Sequence, residues 1–279
     1  MQGWTVKTGT AVVINLKNCT QPSQPYVALS RAQNLQQIYI VGKLHEDRWF
    51  PSNSALFELK SCEEQEAEMV NEELSGLCLE IVSLNVRSLQ KHIPDVRRMV
   101  EMKRSDVLCL QETWLPANIT GYHIQGYDLH LNSVGRGKGI ATYTTEDFNL
   151  DGHILQPNLQ ISKVTSQDLD IINVYRSDSC KDFELFLSSQ INRNKETIIV
   201  GDMNIDLNRK GPKQQILMNF LKEYGLHQLV TKSTHQSENV EATKIDHVYA
   251  TEQISQKITI AKKCIRFSDH DALYVKIKK

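Results

Sequence analysis

Apolar residues in this chain gather in short runs, and the most regular runs end on a polar residue. CLEIVSLNV closes near Asn85, SDVLCLQET near Glu112 and ETIIVGDMN near Asp202 and Asn204. TKIDHVYA begins on Asp246, and RFSDH closes on Asp269 and His270. Runs of this length, rich in Val, Ile and Leu and only four to eight residues long, predict buried strands rather than helices. Between them lie stretches with helical spacing: SLQKHIPDVRRMVEMKR, DFELFLSSQINRN and KQQILMNFLKEYGL, with Gly225 placed as a C-terminal stop. Pro94 is expected in the first turn of the first of these helices, or else to break it. GYHIQGYDLHLNSVGRGKGIATYTT predicts a meander with turn chemistry at Gly135 to Gly139, and LDIINVYRS and ALYVKIKK predict further strands.

From Leu77 onward, strands and helices alternate, with meander and crossover elements mixed. Two mixed sheets packed face to face with helices outside, a four-layered α/β sandwich, fit this order better than one parallel sheet. The preceding residues differ. In 1–45, TAVVINL and QQIYIVGKL predict strands on either side of a proline-bearing segment. Residues 46–76 are polar and acidic and predict a helical linker. The expected organisation is therefore 1–45, linker 46–76, and a main domain 77–279.

A formal net charge of −1 excludes a bulk-charge binder of nucleic acid. Any such binding needs a local patch, for which Arg87, Lys91, Arg97, Arg98, Lys103 and Arg104 are candidates, with a solvated helix face as the plainer reading. The six cysteines are scattered without a CxxC pair, which argues against a zinc site or a disulfide scaffold and for a reducing compartment. No signal peptide and no run long enough to span a bilayer is evident, so an intracellular protein, nuclear or cytoplasmic, without membrane contact is expected.

Carboxylates, amides and an imidazole at strand ends suit metal-dependent phosphodiester chemistry. A hard cation takes oxygen ligands, a water needs a base, and a phosphate needs donors. His247 neighbours Asp246 but points to the opposite face of its strand, so it is left outside the set. GRGKG lacks the GxxxxGK[ST] pattern and reads as a turn rather than a phosphate loop.

The ordered segments SLNVRSL, LCLQETWL, GKGIATY, INVYRS, VGDMNIDL, STHQ with KIDHVYA, and SDHDAL resemble the endonuclease/exonuclease/phosphatase superfamily. Within it they are most similar to the apurinic-type endonucleases of non-LTR retrotransposons. The resemblance implies a Mg²⁺-dependent DNA endonuclease, with Mn²⁺ as the alternative ion, that leaves a 3′-hydroxyl and a 5′-phosphate. It implies Glu112 as metal ligand, with Asp269 as a second metal or support contact. Asp202 would orient or deprotonate the attacking water, and Asn204 and Tyr175 would hold phosphate oxygens. Asp246 and His270 would form an acid–imidazole pair, and Asn85 would sit near the metal and Asp202. Arg176 would contact backbone phosphate. Two alternatives stay open: a non-DNA phosphoester substrate, or an inactive DNA-binding transposon remnant.

MQGWTVKTGTAVVINL and PYVALSRAQNLQQIYIVGKL resemble the last motifs of Pif1-type helicases, with Arg31 at the arginine-finger position. No phosphate-binding loop precedes them, so autonomous ATP hydrolysis is not expected. The resemblance implies the end of a helicase core fused to an endonuclease, as in Helentron-type Helitron transposons. DNA and the remaining helicase domain would then be the partners.

Overall fold

The computed structural model describes residues 12–15, 38–41, 78–116, 119–133, 135–178, 180–236 and 241–278. The chain divides into two compact units, 1–70 and 71–279. In the first, β1 (Val12–Asn15) and β2 (Ile38–Val41) are strands, as their apolar pattern predicts, and they pair in parallel. Arg31 and the linker expected at 46–76 lie outside the described residues.

The second unit holds two six-stranded mixed sheets. The first is built from β3 (Cys78–Asn85), β4 (Val107–Gln111), β5 (Asp128–Asn132), β6 (Ile140–Thr144), β13 (Ile258–Lys263) and β14 (Ala272–Lys278). Its order is β13-β14-β3-β4-β6-β5. The second contains β7 (Asn149–Gln156), β8 (Leu159–Thr165), β9 (Leu169–Arg176), β10 (Glu196–Asp202), β11 (Leu226–Gln228) and β12 (Asp246–Thr251). Its order is β11-β12-β10-β9-β8-β7. The fold is thus the expected sandwich of mixed sheets. The hairpin β7–β8 and the strands β11 and β13 carry mixed polar sequence, and the apolar pattern did not reveal them.

Period-two alternation splits each central strand between two cores. Ile81, Val107 and Cys109 of one sheet meet Ile171, Ile198, Val200 and Val248 of the other in the layer between the sheets. The alternate residues face outward. Val82, Leu84, Leu108 and Leu110 pack under helix α1 (Leu89–Met102), which contributes Leu89, Val96 and Val100. Ile172, Val174, Ile199 and Tyr249 pack under α2 (Phe183–Ser188) and α3 (Pro212–Glu223). A one-turn helix, α4 (Glu252–Ser255), follows β12. Among the described residues, no helix is long and apolar enough to cross a membrane.

Pro94 departs from expectation. It sits in the second turn of α1, and the helix continues through it. The proline is exposed, as is Gln90, whose carbonyl it leaves without a helical donor, so water can replace the missing bond. Gly225 ends α3 with φ of 62°, in the left-handed region, as expected.

The inner layer is not uniformly apolar. Toward one end of the strands it turns polar: Gln111 Nε2 donates to Asn173 Oδ1 at 2.8 Å, and Asn173 Nδ2 donates to Thr142 Oγ1 at 3.0 Å. These bonds cross from one sheet to the other and fix their relative register. Beyond them stands the polar rim of the candidate site.

Gly201 lets that rim form. Its φ is 136°, and a Cβ built there would lie 1.9 Å from the Val174 carbonyl oxygen on the neighbouring strand. Only glycine tolerates that approach. Gly201→Ala is therefore expected to destabilise the fold by roughly 3 kcal/mol or more, read as a lowered urea midpoint; an unchanged midpoint would refute the close approach.

Candidate active site

Strand register brings the site together. Asp202, the last residue of β10, pairs with Tyr175 on parallel β9 and with Asp246 on antiparallel β12. Residues directly opposite share a face, so the three side chains form a row at the rim of the inner layer. In the other sheet Asn85 pairs with Gln111, one residue before Glu112. Asn85, Tyr175 and Asp202 are thus the last inner-face positions of their strands and Asp246 the first of β12, while Glu112 stands one residue beyond β4.

Asn85 joins the two rows. It is fully buried, and its Nδ2 donates to Glu112 Oε1 at 3.0 Å and to Asp202 Oδ2 at 2.9 Å. Its Oδ1 accepts from the Arg87 backbone N–H at 3.1 Å, and its carbonyl accepts from Ser268 Oγ at 2.7 Å. Ser268 Oγ in turn accepts from the His270 N–H at 3.1 Å, which anchors the Ser268–His270 loop to β3.

His270 and Asp246 form the expected pair. His270 Nδ1 lies 3.0 and 2.9 Å from the two Asp246 oxygens, and both side chains are buried. The Asp246 N–H donates to Thr234 Oγ1 at 3.1 Å. Burial alone would lower the His270 pKa, but Asp246, Asp202 and Asp269 together raise it to about 9. Burial, and then the Asp246 charge, raise Asp202 to about 7. The row therefore holds a carboxyl that titrates near neutrality beside a cationic imidazole.

Asn204 lies beyond the end of the strand. The chain leaves β10 after Asp202, and Asn204 adopts φ of 47°. Its N–H donates to Asp202 Oδ1 at 3.0 Å, and its Nδ2 donates to the Arg176 carbonyl at 2.8 Å. An Asx turn after a buried strand and a site aspartate are the same residue here. Tyr175 donates its hydroxyl to the Gly137 carbonyl at 3.2 Å, and burial together with Glu112 and Asp202 keeps that hydroxyl protonated.

Arg176, one residue further, falls on the outer face. Its buried guanidinium donates to the Met203 and Cys180 carbonyls, so it does not face a phosphate. His247 is likewise on the outer face, fully buried, its pKa lowered to about 4 by burial. Much of the basic cluster is committed elsewhere. Arg97 holds the Gly121 and His123 carbonyls, Arg104 the Gly126 carbonyl, and Lys103 pairs with Glu80 at 2.8 Å. Arg87 pairs with Asp269 at the site itself.

Three contributors were not singled out from the sequence. Trp114 Nε1 donates to Glu112 Oε2 at 3.0 Å, so both Glu112 oxygens are held. The His235 ring lies 4.6 Å from that of His270, tilted by 49°, and places Nε2 at 3.3 Å from Asp269 Oδ2. Gly201 permits the strand approach described above. The segments QETW, STHQ and GDMN contain all three, but only the fold shows which member of each segment turns inward. Among the described residues, the non-glycine positions with positive φ are Arg87, Ser88, Glu112, Trp114 and Asn204, all on the segments that follow β3, β4 and β10 at this rim.

A divalent cation suits this donor set. Glu112 and Asp269 present carboxylate oxygens, and Asp269 Oδ1 is buried without a hydrogen-bond partner. Asp202, Asp246 and His270 bring their ligand atoms within 4.8 Å of one another, as do His235, Asp269 and His270.

Residues 169–274 match the family model described as endonuclease-reverse transcriptase. No curated protein matches the chain. Among solved structures, a 3′-5′ exonuclease of Neisseria meningitidis is similar at TM-score 0.60 and 17% identity, covering 72% of this chain and 100% of that one. The AP endonuclease LMAP of Leishmania major is similar at TM-score 0.61 and 14% identity, covering 82% and 100%. The endonuclease domain of TRAS1, a telomere-specific non-LTR retrotransposon, is similar at TM-score 0.57 and 15% identity, covering 72% and 99%. The fold is that of the endonuclease/exonuclease/phosphatase superfamily.

Asn85→Ala is expected to remove the bond that lowers the Asp202 pKa, pushing it further up, and to cost about 1–3 kcal/mol of stability. Carboxyl NMR titration and urea unfolding read the two effects. An Asp202 titration unmoved by the substitution would contradict the bridging role of Asn85.

Proposed function

We propose that the chain is a Mg²⁺-dependent DNA endonuclease of transposable-element origin, hydrolysing one phosphodiester bond to leave a 3′-hydroxyl and a 5′-phosphate. One observation carries the reading: Asn85 ties Glu112 to Asp202, beside a His270 held by Asp246. The choice of DNA rests on the ordered sequence motifs and on the likeness to nucleases that include a retrotransposon endonuclease domain.

In this reading Glu112 and Asp269 hold the cation. When bound, it supplies positive charge to the phosphate and to the departing oxygen. Asp202 accepts a proton from the attacking water, and a carboxylate titrating near 7 is well matched to that task. The water oxygen bonds to phosphorus as the bond to the 3′ oxygen breaks, and that oxygen leaves and takes a proton from solvent to become the hydroxyl. His270, kept cationic by Asp246, donates from Nε2 to the charge that develops on the phosphate. Asn204 offers a phosphate oxygen the second hydrogen of its Nδ2, and Tyr175 does so by turning its hydroxyl away from the Gly137 carbonyl. Residues 1–45 are read as the end of a Pif1-like helicase core with Arg31 as its arginine finger, and 46–76 as a linker. That part rests on the sequence match alone.

Supercoiled plasmid with Mg²⁺ is expected to be nicked by the parent chain. Asp202→Ala and His270→Ala should each lower the rate by about a hundredfold or more. Equal rates in parent and variants would overturn the assignment, and so would a parent that cleaves no DNA. Hydrolysis of a non-DNA phosphoester in the same assay format would redirect it to another substrate.

The rate should follow a bell-shaped pH profile. Below about 7 Asp202 carries a proton and cannot take one from water, so the rate rises as pH passes that value. Above about 9 His270 loses its proton and the rate falls. In Asp246→Asn the alkaline limb should move to lower pH, because the charge that raises His270 is gone; an unmoved limb would detach it from the pair.

A further inference from the structure

Two imidazoles and a carboxylate meet beside the proposed catalytic pair. His235 Nε2 lies 3.3 Å from Asp269 Oδ2, and His270 Nε2 lies 3.9 Å from Asp269 Oδ1. The ligand atoms of the three residues fall within 4.8 Å of one another. Asp269 Oδ2 also takes Arg87, whereas Oδ1 is buried and has no hydrogen-bond partner.

The outer nitrogens of both rings are held by oxygens. His270 Nδ1 faces Asp246, and His235 Nδ1 lies 3.0 Å from Thr243 Oγ1. This is the arrangement of metal-ligating histidines, whose second nitrogen donates to a carboxylate or another oxygen and so fixes the tautomer that turns a lone pair inward. The backbone reinforces it: His235 bridges to both Thr243 and His270, and the Gln236 N–H donates to the Asp269 carbonyl at 3.0 Å. Three protein ligands of type N, N and O leave one tetrahedral position open.

We propose that His235, Asp269 and His270 form a binding site for a borderline transition-metal ion of the Zn²⁺ class. It shares Asp269 with the oxygen-ligated cation assigned to Glu112 and Asp269, and differs from it in taking two imidazole nitrogens. Imidazole ligands favour Zn²⁺, Co²⁺ and their neighbours over Mg²⁺, which prefers oxygen donors and retains its waters. An ion seated there replaces the Nε2 proton of His270, which leaves to solvent, and bonds to the lone pair so freed. It therefore withdraws the group that the proposed hydrolysis uses, and Zn²⁺ acts as an inhibitor of the Mg²⁺-supported reaction. The inhibitory consequence rests on the endonuclease reading; the binding does not.

Co²⁺ serves as a spectroscopic probe of the full chain, titrated in the presence of excess Mg²⁺. The parent is expected to show a saturable visible band from a low-coordinate cobalt site, displaced by Zn²⁺. His235→Ala should abolish the band, and Thr243→Val should weaken Co²⁺ binding about 10-fold or more. Far-UV circular dichroism checks that each variant is folded, and the milder Thr243→Val change covers the case in which His235→Ala is not. Absence of a saturable band in the parent, or a band that survives His235→Ala, overturns the site. In the nicking assay, Zn²⁺ should inhibit the parent at lower concentration than Thr243→Val. Equal inhibition of the two would overturn the link to His270. Should the parent nick no DNA, the cobalt band still decides whether the site exists.

Discussion

Everything at the rim of this sandwich depends on one buried amide. Asn85 has two donor hydrogens, and each goes to a carboxylate on a different sheet. Two acidic groups brought together in a buried layer repel each other and lose water, and both effects favour separation of the sheets at that end. The amide opposes this by giving each carboxylate a hydrogen bond at no cost in net charge. A residue with one donor could serve only one sheet. An aspartate, nearly the same shape, would add a third negative group in place of the donor. The Asn85 carbonyl and Oδ1 extend the same anchor to the Ser268–His270 loop and to the turn at Arg87.

From that anchor the electrostatics follow. Asp202 and Asp246 are opposite one another in register, so their charges cannot be relaxed by moving apart without breaking the ladder between β10 and β12. His270 compensates one of them through a two-oxygen contact, which leaves Asp202 as the group whose charge is least compensated. Its raised pKa is the visible result. A buried row of this kind weakens the fold relative to an apolar layer, and the apolar residues deeper along the same strands, from Ile81 to Val248, offset it. Stability and chemistry are thus arranged along one axis of the sandwich, apolar at one end and titratable at the other.

Much of this was legible in the sequence because strand ends and site residues coincide. The apolar runs named the central strands β3, β4, β9, β10, β12 and β14, and polar residues at run ends named Asn85, Glu112, Asp202 and Asp246, whereas Tyr175 was named by the family resemblance. These strands are buried on both faces, so their composition is distinctive. The edge strands β7, β11 and β13 are half-solvated and polar, and their composition resembles that of loops. Pro94 was misplaced because a proline's effect depends on whether the freed carbonyl can reach water, which is a property of the helix face and not of the residue. Arg176 was misassigned for a related reason: alternation puts it on the face opposite Tyr175, and only the register shows which of two adjacent polar residues looks inward. His235 and Trp114 were passed over because each lies on an irregular segment, where no periodicity predicts direction.

The same two residues, Asp269 and His270, belong both to the oxygen-rich rim and to the imidazole cluster with His235. Their adjacency in sequence makes this unavoidable: one faces Arg87 and His235, while the other turns to Asp246. A ring held by a carboxylate at Nδ1 is suited to donate a proton from Nε2 or to bind a metal there, but it cannot do both at once. What decides between the two is the third neighbour. Were His235 an apolar residue, the pocket would offer one nitrogen and one carboxylate, too few ligands to compete with water for a transition-metal ion. With an imidazole in that place, itself held by Thr243, the loop brings two ring nitrogens and a carboxylate within 4.8 Å of one another. The balance between proton donation and metal capture at His270 is therefore set by a residue outside the acid–imidazole pair.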